Sequence, residues 1–173
     1  AALGCGGTLG ALGGAVPMLF HGVTKPLMFF CAGNVQQKFA TPHFGKVRGV
    51  IRTLPWTGGL FLMGTLAVTG TPPFSIFQSE FTTLSAALAA DRGWSAFLFT
   101  AGVVTIFAGF LVHIAKMTLG TPRHDAPPAA PECPWKLGAM AAVATVVILL
   151  GVWLPQPLFH LVSQAAQIIQ GAP

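Results

Sequence analysis

Three residues in an otherwise apolar chain have the types and spacing for proton transfer: His21, Lys25 and Glu80. His21 and Lys25 stand at i and i+4, which puts both on one helical face. Glu80 is the only acid in the first ninety residues. Burial alone lowers the pKa of a lysine and raises that of a glutamate, and pairing pushes each the other way. A line of Lys, His, water and Glu therefore passes protons along when a distant event alters the pairing. Alone, each has a blander use: His21 as a satisfied core histidine, Glu80 as a hydrogen-bonder to the ends of an interrupted helix. Thr24, Thr69, Ser75, Gln78 and Ser79 read as backbone satisfiers and water ligands rather than relay members. His113 suits the bundle interior and the interface equally.

These residues need a scaffold, and composition names its class. The 173-residue chain is 53% hydrophobic and 8% charged, with a mean hydropathy of +0.71. A soluble domain carries roughly 25% charged residues, so this is an integral membrane protein. The net charge of +5 does not indicate nucleic acid, because Lys38, Lys46, Arg48 and Arg52 fall in one short segment and no clustered basic face remains to neutralise phosphates. Cys5, Cys31 and Cys133 lack the paired spacing of a zinc or iron–sulfur site. The first two read as packing residues and the third as a loop thiol. No site for a metal, quinone, nicotinamide or flavin is evident, so the expectation is no cofactor. The chain opens inside an apolar run without Met or a basic leader, which reads as part of something longer.

The expected fold is all-α: a polytopic transmembrane helix bundle of about four crossings, one of them broken, with a short C-terminal interfacial helix. A span needs about 20 apolar residues, and 12–33 supplies the first. Residues 34–53 carry four cations and no acid, which keeps this loop cytoplasmic. Residues 54–90 are too long for one straight helix, and Pro72-Pro73 forbids continuity. Two short spans and one crossing of two half-helices both remain open. The second is preferred, because unwound backbone is tolerated where it lines a polar cavity, and Thr69, Thr71, Ser75, Gln78, Ser79 and Glu80 supply one. Broken near 70–74, such a helix marks an ion site. Further spans are expected at 94–119, with Lys116 snorkelling, and at 136–154. The Pro-rich segment 120–134 reads as a solvent loop in which His124 and Asp125 lack partners for chemistry. An apolar stripe over 157–170, formed by Leu158, Leu161, Val162, Ala165, Ile168 and Ile169, predicts the interfacial helix.

The segments His21-Gly-Val-Thr-Lys25-Pro-Leu-Met-Phe-Phe-Cys-Ala-Gly33-Asn34, Gly49-Val-Ile-Arg-Thr-Leu-Pro55 and Ala67-Val-Thr-Gly70-Thr-Pro-Pro73-Phe-Ser-Ile-Phe-Gln-Ser-Glu80-Phe resemble the C-terminal part of the antiporter-like subunits of complex I, Mrp cation/proton antiporters and membrane-bound hydrogenases. Within that family the Pro-Pro-Phe…Ser-Glu-Phe form and the ending Gly151-Val-Trp-Leu-Pro155 are most similar to hydrogenase-4 component F. The resemblance implies a proton-translocating subunit of a redox-driven complex in the bacterial cytoplasmic membrane. It also implies partner membrane subunits, a peripheral redox arm beyond them, and protons, with sodium as an alternative ion. Lys25 and His21 then match the polar helix before the second broken helix, and Glu80 matches the exit-side position on that helix. Pro26 departs from the family pattern, and the first repeat is absent. An Mrp-type antiporter subunit and a non-conducting structural remnant are the alternatives.

Overall fold

The computed structural model describes residues 7–169 except 125 and 130. Its elements in chain order are α1 (Gly7–Phe39), a 3-10 turn (Phe44–Lys46), α2 (Val50–Thr53), α3 (Pro55–Val68), α4 (Ser75–Ala89), α5 (Gly93–Leu119), α6 (Pro134–Val152) and α7 (Gln156–Ile169). The fold is a polytopic membrane helix bundle. Residues 14–39 of α1, all of α5 and all of α6 are long and apolar enough to cross a bilayer, while α3 is apolar but shorter.

The hub is α1, which packs against α3, α4, α6 and α7. Phe20, Thr24, Leu27, Cys31 and Val35 are buried at the i+3 and i+4 steps that make one stripe. Leu27, Cys31 and Val35 join Val50, Leu54, Phe61, Ile114, Met117 and Met140 in the main core. The helix runs on to Phe39, past the expected apolar limit at Gly33. Gln36, Gln37 and Lys38 are good helix formers, and nothing stops the helix until Ala40 takes φ +49. It also stays continuous through Pro17 and Pro26. A proline ring crowds the carbonyl four residues back, and here those residues are Gly13 and Gly22, whose backbones adjust most freely.

The interruption of 54–90 falls between Val68 and Ser75. Ala67, just before it, and Phe74, its last residue, meet Val147 of α6 in a second core cluster. The far end of α4 closes with Asp91 at φ +54, the Arg92 amide donating to Ala87 O at 2.9 Å and the Asp91 amide to Leu88 O at 3.0 Å, a left-handed cap that satisfies the last carbonyls. In α7 the expected stripe divides: Val162 is buried together with Ala166, while Leu161 and Ile168 remain uncovered. The buried pair belongs to a helix packed on α1, and the other side carries exposed apolar residues.

Among the described residues, 120–133 lack helix, but Glu132 is not simply solvated. Its Oε1 accepts from the Trp56 amide at 2.8 Å and its Oε2 from the Thr57 amide at 3.0 Å and from the Thr57 hydroxyl, to which Asn34 of α1 donates at 2.7 Å. The loop carboxylate thus caps α3, whose first residue, Pro55, has no N–H and whose N-cap, Leu54, has no capping side chain. Replacing Glu132 by Ala removes the acceptors and should cost about 1–2 kcal/mol, read as a lower thermal unfolding midpoint of the detergent-solubilised protein, with Glu132→Gln losing less.

Candidate functional site

The chain leaves α3 through a glycine cap. Gly70 takes φ +72, and the Thr71 amide reaches back to Leu66 O at 3.0 Å, satisfying a carbonyl that the helix end would orphan. After Thr71 come two residues without an N–H, Pro72 and Pro73, joined by a cis peptide bond. The Phe74 amide then closes on Thr71 O at 3.0 Å. Glu80 follows on α4, and its carboxylate rests on Gly70. A Cβ built at position 70 would collide with Oε2 and lie 2.8 Å from Oε1. Glycine is therefore required there twice, for its backbone angle and for the approach of the acid.

The polar groups around the break sort by their partners. Thr69 Oγ1 donates to Thr65 O at 2.8 Å, and Ser79 Oγ to Ile76 O at 2.8 Å. Such back-bonds keep a hydroxyl satisfied without a second helix. Gln78 Nε2 instead crosses to Gly151 O at 3.2 Å on α6. A Cβ at Gly151 would lie 2.8 Å from Pro73 O, so the end of α6 sits directly on the break. Ser75 is buried at the start of α4. Thr71 Oγ1 is enclosed and has no hydrogen-bond partner.

On α1, Thr24 is buried and bonds Phe20 O at 2.8 Å, and His21, half-buried, donates Nδ1–H to Pro17 O at 3.2 Å. Lys25 is exposed. Because Pro26 has no N–H, the carbonyl of Gly22 loses its helical donor, and Gly22 is three residues from Lys25 on the same face. The structure thus brings Glu80 onto the break but does not join it to Lys25 or His21: among the described residues no ion pair links them, and no charged side chain is buried. His113 lies elsewhere, exposed on α5, with Nδ1–H donated to Gly109 O at 2.7 Å. Cys31 is buried and Cys133 exposed, while Cys5 and Asp125 lie outside the described residues. Among the described residues no group of three or more His, Cys, Asp or Glu is placed to hold a metal.

Sequence reasoning missed the Glu132–Thr57–Asn34 network. A signal existed: a helix opening Leu54-Pro55 has no Ser, Thr, Asp or Asn at its N-cap and must take its cap from elsewhere.

An all-helical membrane bundle with one helix interrupted beside a carboxylate defines the class. Residues 1–109 match the family described as NADH:quinone oxidoreductase/Mrp antiporter, TM, and the chain belongs to that family. A hydrogenase-4 component F homolog of Methylacidiphilum infernorum (isolate V4) is 32% identical over 127 residues, covering 73% of this chain and 26% of the relative. Hydrogenase-4 component B of Escherichia coli (strain K12) is 27% identical over 167 residues, covering 88% of this chain and 25% of that protein. The fold is similar to a chain of the Mrp complex from Dietzia sp. DQ12-45-1b, with TM-score 0.79 and 20% identity, covering 96% of this chain and 39% of that one. The chain thus spans about a quarter of the length of these two curated relatives.

Gly70→Ala forces a left-handed Cβ and displaces the carboxylate, and should cost about 1–2 kcal/mol. Gly59→Ala, in α3 with open space around it, should gain about 0.5–1 kcal/mol. Thermal unfolding of the two variants side by side checks both signs.

Proposed function

We propose that this chain is the C-terminal, proton-translocating portion of an antiporter-like subunit in a redox-driven complex of the hydrogenase-4 or NADH-quinone oxidoreductase type. The observation that carries the reading is the Glu80 carboxylate seated on Gly70 at the break of α3 and α4. An acid is costly at membrane depth unless it works or is paired, and a helix break supplies polar backbone and room for water. Thr71 Oγ1, unpaired in the break, offers such a water a partner. Lys25 is the relay group, with the freed Gly22 carbonyl beside it as acceptor, His21 is its neighbour one turn earlier, and Glu80 is the exit site. Thr24, Thr69 and Ser79 spend their hydroxyls on their own helices and act as scaffold. The half-helices make one crossing, and the basic segment before α3 sets that end in the cytoplasm. The complex sits in the cytoplasmic membrane of a bacterium. Other membrane subunits transmit the redox event from a peripheral arm, and no electron chemistry occurs in this chain.

The test uses the full-length protein in its assembled complex, reconstituted in vesicles. Glu80→Gln and Lys25→Ala should each reduce proton pumping about 100-fold, the scale of a lost acid–base group, while assembly persists. Thr24→Val should stay within about twofold of the parent, because the hydroxyl it loses serves only a backbone carbonyl. Full pumping by an assembled Glu80→Gln complex would overturn the relay and leave a structural role. Ion exchange driven by sodium without electron input would instead assign an Mrp-type antiporter.

A further inference from the structure

Helix α5 lies at the rim of the bundle. It packs against α2, α3 and α4, and only 6% of its most apolar stretch is buried. Between its C-terminal half and the segment around the 3-10 turn runs a groove of about 570 Å³. Phe44, Val47, Phe110, Ile114 and Met117 give it an apolar wall. Gly45 and Gly109 leave open space where side chains would stand. The charged groups in the wall are Arg48 and Lys116, with no carboxylate among the lining residues.

The two cations sit at one end of the groove. Lys116 belongs to the last turn of α5. A Cβ built on Gly120, just past that turn, would lie 3.8 Å from Arg48 Cβ, so Arg48 flanks the same helix end. Gly109 is seven residues back along α5, about 10 Å deeper at the helical rise. His113 commits Nδ1 to the Gly109 carbonyl and so shapes the wall between these levels. The result is a trough that is cationic at the helix end and apolar below it.

The geometry points to a bound anionic phospholipid: a phosphate headgroup between Arg48 and Lys116, with an acyl chain along Phe110 and Gly109. An uncovered groove on a spanning helix is filled by lipid tails by default, since they are the solvent there. The choice among lipids then falls to the headgroup. Paired cations at the boundary favour an anionic one, each Lys or Arg near the surface adding to the attraction. A guanidinium beside an ammonium also suits a phosphate better than a zwitterionic head, whose own cation they would repel.

The experiment takes the full-length protein in its assembled complex, in mild detergent, and offers it phosphatidylglycerol or phosphatidylcholine of matched acyl chains during native mass spectrometry. Phosphatidylglycerol should be retained preferentially, and Arg48→Gln with Lys116→Gln should weaken its retention about tenfold without changing that of phosphatidylcholine. Equal retention of the two lipids by the parent, or preferential retention that survives both substitutions, would overturn the proposal. A benzophenone amino acid at position 110 gives a second readout that does not depend on the charge variants: crosslinking to phospholipid supports the site, and crosslinking to a protein chain reassigns the groove to a protein–protein contact.

Discussion

Hydrocarbon leaves no backbone amide or carbonyl unpartnered without cost, and that constraint shapes the break on which the rest of this bundle turns. An interruption of six residues would ordinarily orphan several donors. Here Thr69 and Thr71 pair back to Thr65 and Leu66, Phe74 pairs with Thr71 O, and the two residues between Thr71 and Phe74 are prolines with no donor to lose. The same Pro72-Pro73 pair that ends the helix thereby lowers the cost of ending it. Gly70 turns the chain and leaves the space that Glu80 fills.

A second consequence is a division among the polar side chains of the apolar helices. Thr24, Thr65, Thr69, Ser79, Thr100, Thr118 and Thr145 all donate to carbonyls three or four residues earlier. Their hydroxyls are committed locally. Asn34 and Gln78 instead bond across to Thr57 and to Gly151 O, and the enclosed Thr71 hydroxyl has no partner. Hydroxyl-rich helices thus look more polar in sequence than they are in the fold.

Most of the architecture was legible because the signals were local. The apolar run lengths, the Pro72-Pro73 interruption and the amphipathic tail each depend on neighbours in sequence, and the structure has helices over those stretches and a break at the prolines. The exit of the first helix was less legible: the apolar pattern stops at Gly33, but Gln36 to Lys38 continue a helix perfectly well in water. Glu132 was not legible as a cap because its partners, Trp56 and Thr57, lie about seventy-five residues away in sequence, and a solvated loop acid looks the same as a capping one. For the candidate site, the residue types and the break were readable, whereas the seating of Glu80 on Gly70 required the fold. The expected line from Lys25 through His21 to Glu80 is not drawn by hydrogen bonds in this chain, since His21 spends its donor on Pro17 O.

The broken helix is held firmly at its ends and lightly at its centre. At the start of α3, Glu132 ties the first free amides to the loop and, through Thr57 and Asn34, to α1. At the end of α4, the cap at Asp91 closes the last carbonyls on Arg92. Between them, α6 contributes one side-chain link, Gln78 to Gly151 O, and a close backbone contact at Pro73. The backbone of the break itself is kept by a few turn hydrogen bonds, so the free-energy cost of rearranging it is small compared with that of moving either anchored end. The Glu80 carboxylate touches that lightly held centre at Gly70, the residue where the chain turns. The acid and the turn are thus joined by contact, with an anchored end on either side of the segment between Val68 and Ser75.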